Sequence, residues 1–185
     1  MEILIKAGVL LFGLIFAGVY AHATDFNVRF SPVGMIGGLL NAELDIPVSD
    51  SLAIGPEFGY LHGTIHQKSV HIVAYGLRGV YYFNESVFTD GWYFSPGVTW
   101  SRVRVGATDA VHGPLTANGE SFALSLISGY QWFWDYFNIA LGGGLAWSSI
   151  GTLDLKSEDG VSRDTYKGPG TRAALALEFS LGFTF

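Results

Sequence analysis

The sequence predicts an all-β protein: an eight-stranded antiparallel up-and-down transmembrane β-barrel, preceded by a cleaved signal peptide. Three observations predict it. Apolar residues recur with a period of two over most of the chain. The face opposite them is mostly Gly, Ala and Ser, which makes a poor solvated surface but fits the crowded inside of a narrow barrel. The connections between alternating segments are short and long by turns.

Composition sets the frame. The 185 residues are 49% hydrophobic and 14% charged, with 25 Gly. Mean hydropathy is +0.34, high for a soluble domain, and so apolar a chain is not disordered. The absence of Cys excludes disulfides, thiolate zinc sites and Cys nucleophiles. A formal charge of −6 without a basic cluster excludes nucleic acid as a partner.

Residues 1–23 read as a secretory signal. Lys6 supplies the positive start, an apolar run follows from Ala7 to Val19, and Ala21-His22-Ala23 is a small-residue cleavage site. The apolar run falls short of the ~20 residues of a spanning helix. The barrel then occupies 24–185, where no stretch approaches the length of a membrane helix.

Each strand follows from alternation. Phe26, Val28 and Phe30 against Asn27 and Arg29 form the first, closed by a turn over 31–34. Ile36, Leu40, Leu44 and Ile46 oppose Gly37, Asn41 and Glu43. Leu52, Ile54, Phe58 and Tyr60 oppose Ala53, Gly55, Glu57 and Gly59. Val73, Tyr75, Leu77, Tyr81 and Phe83 oppose Ala74, Gly76, Arg78 and Tyr82. Trp92, Phe94, Val98 and Trp100 oppose Tyr93, Ser95, Gly97 and Thr99. Segments 122–132, 137–147 and 174–185 complete the set, the last alternating to Phe185. Merging 26–46 into one bent strand is the competing reading, but it leaves seven strands and an open edge.

Short turns fall at 47–51, 84–91 and 134–136, and longer polar loops at 62–69, 105–120 and 151–171. Short periplasmic turns and long extracellular loops put both termini in the periplasm. Tyr81, Tyr82, Phe83, Trp92, Tyr93, Trp132, Trp134, Tyr136 and Phe137 cluster beside the short turns, where an aromatic girdle belongs.

The signal peptide, the eight alternating strands and the terminal Leu177-Glu178-Phe179-Ser180-Leu181-Gly182-Phe183-Thr184-Phe185 resemble the small bacterial outer-membrane barrels of the OmpA, OmpX and OmpW kind. The resemblance is architectural. It implies an outer-membrane location and recognition of the strand ending at Phe185 by the outer-membrane assembly machinery.

Parity places Arg29, Glu43, Glu57, Arg78 and Glu178 in the lumen, all three to seven residues above the periplasmic ends. The spacing predicts one ion-pair layer, with Glu57 facing Arg78 and Arg29 between Glu43 and Glu178. A lumen that side chains nearly fill makes this layer a plug rather than a gate. Above it, Gly37, Gly55, Gly59, Ala74, Gly97, Ala123, Gly142, Gly144 and Ala146 leave volume for a cavity, or let the strands bend. Arg102 and Arg104 have lipid-facing parity at the outer end of their strand, within reach of lipopolysaccharide phosphates.

His62, His66 and His71 lack a carboxylate cluster, and the acidic residues of 151–171 lack calcium-loop spacing, so no metal or cofactor is expected. Barrels of this size include lipid A acyltransferases and deacylases. Ser101, Ser121, His62, His71, His112 and Asp109 supply the residue types for such chemistry but no recognisable spacing. The expectation is a monomeric, non-enzymatic barrel with a structural or surface-interaction role, its partners being outer-membrane lipids and lipopolysaccharide. The alternatives are a barrel that binds or passes small apolar solutes, or a lipid A-modifying enzyme. No module follows Phe185, so peptidoglycan anchoring by a C-terminal domain is not expected.

Overall fold

The computed structural model describes residues 26–36, 38–65, 68–109, 113–157 and 162–185; the expected signal peptide over 1–23, and Gly37, His66 and His112, lie outside them. The strands are β1 (Asn27–Phe30), β2 (Leu39–Ser49), β3 (Leu52–Ile65), β4 (Lys68–Tyr82), β5 (Gly91–Asp109), β6 (Gly113–Trp134), β7 (Phe137–Ser157) and β8 (Ser162–Thr184). Each pairs antiparallel with its neighbours in chain order and β1 closes on β8. A separate first strand therefore exists, and the seven-strand alternative falls.

Registers define the barrel's slope. Stepping across the ladders from Arg29 leads through Glu43, Glu57, Gly76, Thr99, Ala123 and Ser148 to Arg172 on β8. Arg29 itself pairs with Gly182, so one circuit climbs ten residues. A shear of ten over eight strands, with a rise of about 3.3 Å per residue and about 4.8 Å between strands, tilts the strands by about 40°.

Parity is as the sequence predicts. Inward Asn27, Arg29, Ala53, Val80, Tyr82, Tyr93, Gln131, Asn138 and Ala140 are fully buried. Outward Phe58, Leu77, Val98, Leu124 and Leu141 are exposed, an apolar exterior that suits lipid. Seven of the nine clustered aromatics face out or pack around the short turns, with Tyr81 against Phe83, Trp92 against Tyr130, and Trp134 against Phe137. Tyr82 and Tyr93 turn inward instead and help fill the base of the lumen, where Phe88 of the 83–90 turn packs edge-on against Tyr82.

Two expectations are corrected. The expected turn over 31–34 is a single helical turn, α1 (Pro32–Ile36), and β2 begins only at Leu39. Pro32 explains it: at the first helical position its fixed φ and missing N–H cost nothing, whereas in a central strand it would break the ladder. The second concerns the long polar loops. Ladders continue through most of 62–69, 105–120 and 151–171, reaching Ile65↔Lys68, Asp109↔Gly113 and Lys156↔Ser162.

Beyond the apolar exterior the two faces of a strand meet similar surroundings, so alternation fades while the hydrogen-bonded ladder persists. Bulges at Gly119/Ser121, Ile150/Thr152 and Leu155/Lys156 absorb irregularity there. Accordingly, the amides of residues 103–106 and 115–118 should exchange with deuterium roughly a hundredfold more slowly than an unstructured loop, an opening free energy of about 2.7 kcal/mol. Exchange at random-coil rates would show that these segments are loops.

Candidate functional site: the lumen network

A short strand begins the site. β1 contributes Arg29, whose guanidinium lies wholly buried between β2 and β8. Its Nε and Nη2 donate to the Asp45 carboxylate at 2.7 and 3.1 Å. Nη2 also pairs with Glu43 at 2.9 Å, and Nη1 with Glu178 at 2.8 Å. One cation thus neutralises parts of three carboxylates, and its five donors in a fixed fork are what such a role requires.

Arg78 from β4 completes the layer. Its Nη1 donates to both Glu43 oxygens at 3.0 Å, its Nη2 to Glu178, and its Nε to the Ser95 hydroxyl. The Ser95 hydroxyl in turn donates a hydrogen bond to the Gly79 carbonyl at 2.7 Å. Two guanidiniums and three carboxylates leave this cluster at one net negative charge.

Below it hangs an uncharged chain of donors and acceptors. Asn27 donates to Asp45 at 3.1 Å, Asn138 to Asn27 at 2.7 Å, Gln131 to Asn138 at 2.8 Å, and Tyr82 to Gln131 at 3.2 Å. The whole network draws a side chain from every strand except β3. Full satisfaction is what makes such burial tolerable, because an unpaired buried charge or amide costs several times the worth of one bond. Room for it is made at Gly182, where a Cβ would collide with Asn138 and with the Arg29 stem.

Of the five sequence-predicted lumen charges, four meet in this cluster. Glu57 does not pair with Arg78. It sits in register with Gly76 and accepts from the Thr99 hydroxyl. The reason is the slope of the ladders: Arg78 faces Gly55 across the β3–β4 ladder, two residues from Glu57. Asp45 is the residue that sequence reasoning missed, although it shares the parity of Glu43.

The glycines expected to leave a cavity behave differently from one another. At Gly144 a Cβ would strike the Leu126 carbonyl, so this glycine serves close approach of neighbouring strands. Higher up, inward Ala74, Ala123 and Ala146 are only half-buried although they point into the barrel, so the outer half of the lumen is an accessible vestibule.

Arg102 and Arg104 point outward from β5. Arg104 donates to Asn118 at 2.9 Å and Arg102 pairs loosely with Glu120 at 3.5 Å, both on the wall of a surface groove of about 700 Å³. Of the residues considered for acyl chemistry, Ser101, Ser121, His62 and His71 do not converge. Ser101 and Ser121 pair with each other on the lumen side, whereas His62 and His71 stack edge-on at 5.9 Å on the outward parity. Among the described residues no cluster of His, Asp and Glu could hold a metal ion.

No known sequence family matches the chain, and no curated protein is similar to it in sequence. Solved structures do resemble it. A major outer membrane protein from Thermus thermophilus aligns with a TM-score of 0.53 at 13% identity, over 89% of this chain and 100% of that one. The N-terminal β-barrel domain of Pseudomonas aeruginosa OprF aligns at 0.45 and 13% identity, over 88% of this chain and 98% of that one. The chain has the fold of a small outer-membrane β-barrel.

Proposed function

We propose that this chain is a non-enzymatic integral protein of the bacterial outer membrane, with a structural or surface-interaction role and a lumen plugged at its periplasmic half. The observation that carries the reading is the network joining Arg29 and Arg78 to Glu43, Asp45 and Glu178 across the full bore. Beneath it the lumen is packed solid by Tyr82, Tyr93, Gln131 and Asn138. A gate would need these pairs to exchange, and each exchange would strand a buried charge.

The same geometry supports an orientation for this reading. The described ends, Phe26 and Phe185, share the plugged end with the short turns, which makes that end the periplasmic one in this reading and stands the tall hairpins of β5 to β8 outside. Arg102 and Arg104, just above the apolar belt, meet the phosphates of lipopolysaccharide there. The strand ending at Phe185 is the one the assembly machinery receives.

Replacing Arg78 with Ala tests the plug. The expected result is a lower melting temperature in detergent with no increase in single-channel current across a planar bilayer. A clear rise in conductance would make the layer a gate.

A further inference from the structure

β1 is four residues long and β8 is twenty-three. Above the Phe30↔Leu181 pair, no strand among the described residues covers the β1-side edge of β8. The chain turns away through α1 and returns as β2 at Leu39. The wall therefore has a notch, bounded below by α1, on one side by β2 and β3, and on the other by β8.

Side-chain exposure records the missing neighbour. Outward Leu141 and Leu145 on β7, flanked by strands on both sides, are 46% and 44% exposed; outward Leu175 and Leu177 on β8 are 84% and 90% exposed. Ala174, which has inward parity, is exposed as well.

The depth of the notch decides what it meets. At the tilt given above each residue adds about 2.5 Å of height. Leu177 and Leu175 then stand about 9 and 14 Å above Arg29, and the top of β2 about 13 Å. On the opposite wall the outward apolar belt climbs to Trp100 and Phe122, about 15 and 18 Å up. The rim beside α1 is thus below the top of the belt, and the notch opens into hydrocarbon. Its sill is apolar too, with Val33 and Met35 exposed on α1.

Behind the notch, at the same height, the vestibule is lined by Ala74, Ala123, Ala146 and Ala176, with the ion-pair layer as its floor. Phe185 and Phe26 exchange both backbone bonds, so it is the odd-numbered residues of β8 that aim N–H and C=O at β1. The groups of Ala173, Leu175 and Leu177 therefore face the notch. Backbone like this is tolerated at membrane depth where it lines a cavity, as these groups do at the edge of the vestibule. A second copy does not fit the gap: inserted in the same sense, its β8 would run parallel to this one, not antiparallel as every ladder of the wall does.

We propose that the notch is a lateral portal through which a single acyl chain of an outer-leaflet lipid enters the vestibule, to lie against the alanine lining above the ion-pair floor. This rests on the outer-membrane reading. A hydrocarbon chain is the occupant because the opening is continuous with the lipid phase and flanked by Leu175, Leu177, Val33, Met35 and Leu40. Passage further inward is closed by the floor.

The test uses the full mature chain refolded into phosphatidylcholine vesicles containing a phospholipid with a diazirine at the end of one acyl chain. After photolysis, adducts are mapped by peptide mass spectrometry. The portal predicts adducts on inward Ala146 and Ala176 in addition to outward Leu141, Leu145, Leu175 and Leu177. Ala176→Phe, and independently Ala146→Phe, should remove most inward adducts and keep the outward ones, with heat-modifiable gel migration confirming a folded barrel. Outward adducts alone overturn the portal and leave the barrel in its membrane. A belt labelled everywhere except Leu175 and Leu177 means that a polypeptide strand fills the notch, which also overturns it. Absence of adducts on the whole belt would overturn the outer-membrane reading itself.

Discussion

Replacing Arg29 with Met should destabilise the folded barrel by about 3–5 kcal/mol, the cost of leaving buried carboxylates without their cation. Arg29 is the stricter case of the two guanidiniums. It is completely buried and touches Glu43, Asp45 and Glu178 together, whereas Arg78 shares two of those and spends its third contact on Ser95. Without Arg29, Glu43 and Glu178 share Arg78 as their one cation, and Asp45 keeps only the Asn27 amide. Urea unfolding in lipid vesicles, followed by gel migration, measures the loss. Adding Asp45→Asn should restore part of it, because the amide keeps the shape and removes one stranded charge. A loss below about 1 kcal/mol would show that water already solvates the cluster.

The second large effect concerns the outside. Leu141 faces outward close to the height of Arg29, and Leu141→Arg should cost about 2–4 kcal/mol if its surroundings are hydrocarbon. Val73, outward on β4 and near the top of the belt, should accept Arg at about 0–1 kcal/mol. In a water-soluble barrel, both changes would fall within about ±0.5 kcal/mol, as exposed substitutions usually do. The difference between the two variants, measured in the same vesicles, reads the depth of the membrane directly. Equal costs at both positions would remove the hydrocarbon belt.

The fold was legible in the sequence wherever the two faces of a strand meet different surroundings. Between Phe122 and Trp132, or Phe137 and Trp147, an apolar exterior on one side and a lumen of small residues on the other impose the alternation that reveals the strand. Where both sides meet similar surroundings, that force vanishes, and Val105 and Gly106 or Ala117 to Gly119 look like loop although the ladder runs through them. Position around the barrel was harder. Counting up from the turns places Glu57 beside Arg78, but a shear of ten means that partners are found along a rising path, and Glu57 faces Gly76. Asp45 shares the parity of Glu43 but stands at the periplasmic end of its predicted strand, outside the layer counted from the sequence, and it gives Arg29 its closest contact. The half-length of β1 is announced by Pro32, whose ring ends a strand, but only the register with β8 shows what the shortening leaves open.

The lumen network also sets the order in which the protein can be made. Arg29 lies on the first strand and Glu178 on the last, 149 residues apart. Their bond cannot form until every other strand has been laid down. Contacts of such long sequence separation must overcome the full loop-closure entropy before they return any energy, so they form late. The network is therefore a closing clasp: a chain stalled one strand short holds carboxylates in its lumen with no Arg29–Glu178 bond to lock the seam. Completion and stability arrive in the same step, so an unfinished barrel stays open to correction and a finished one does not.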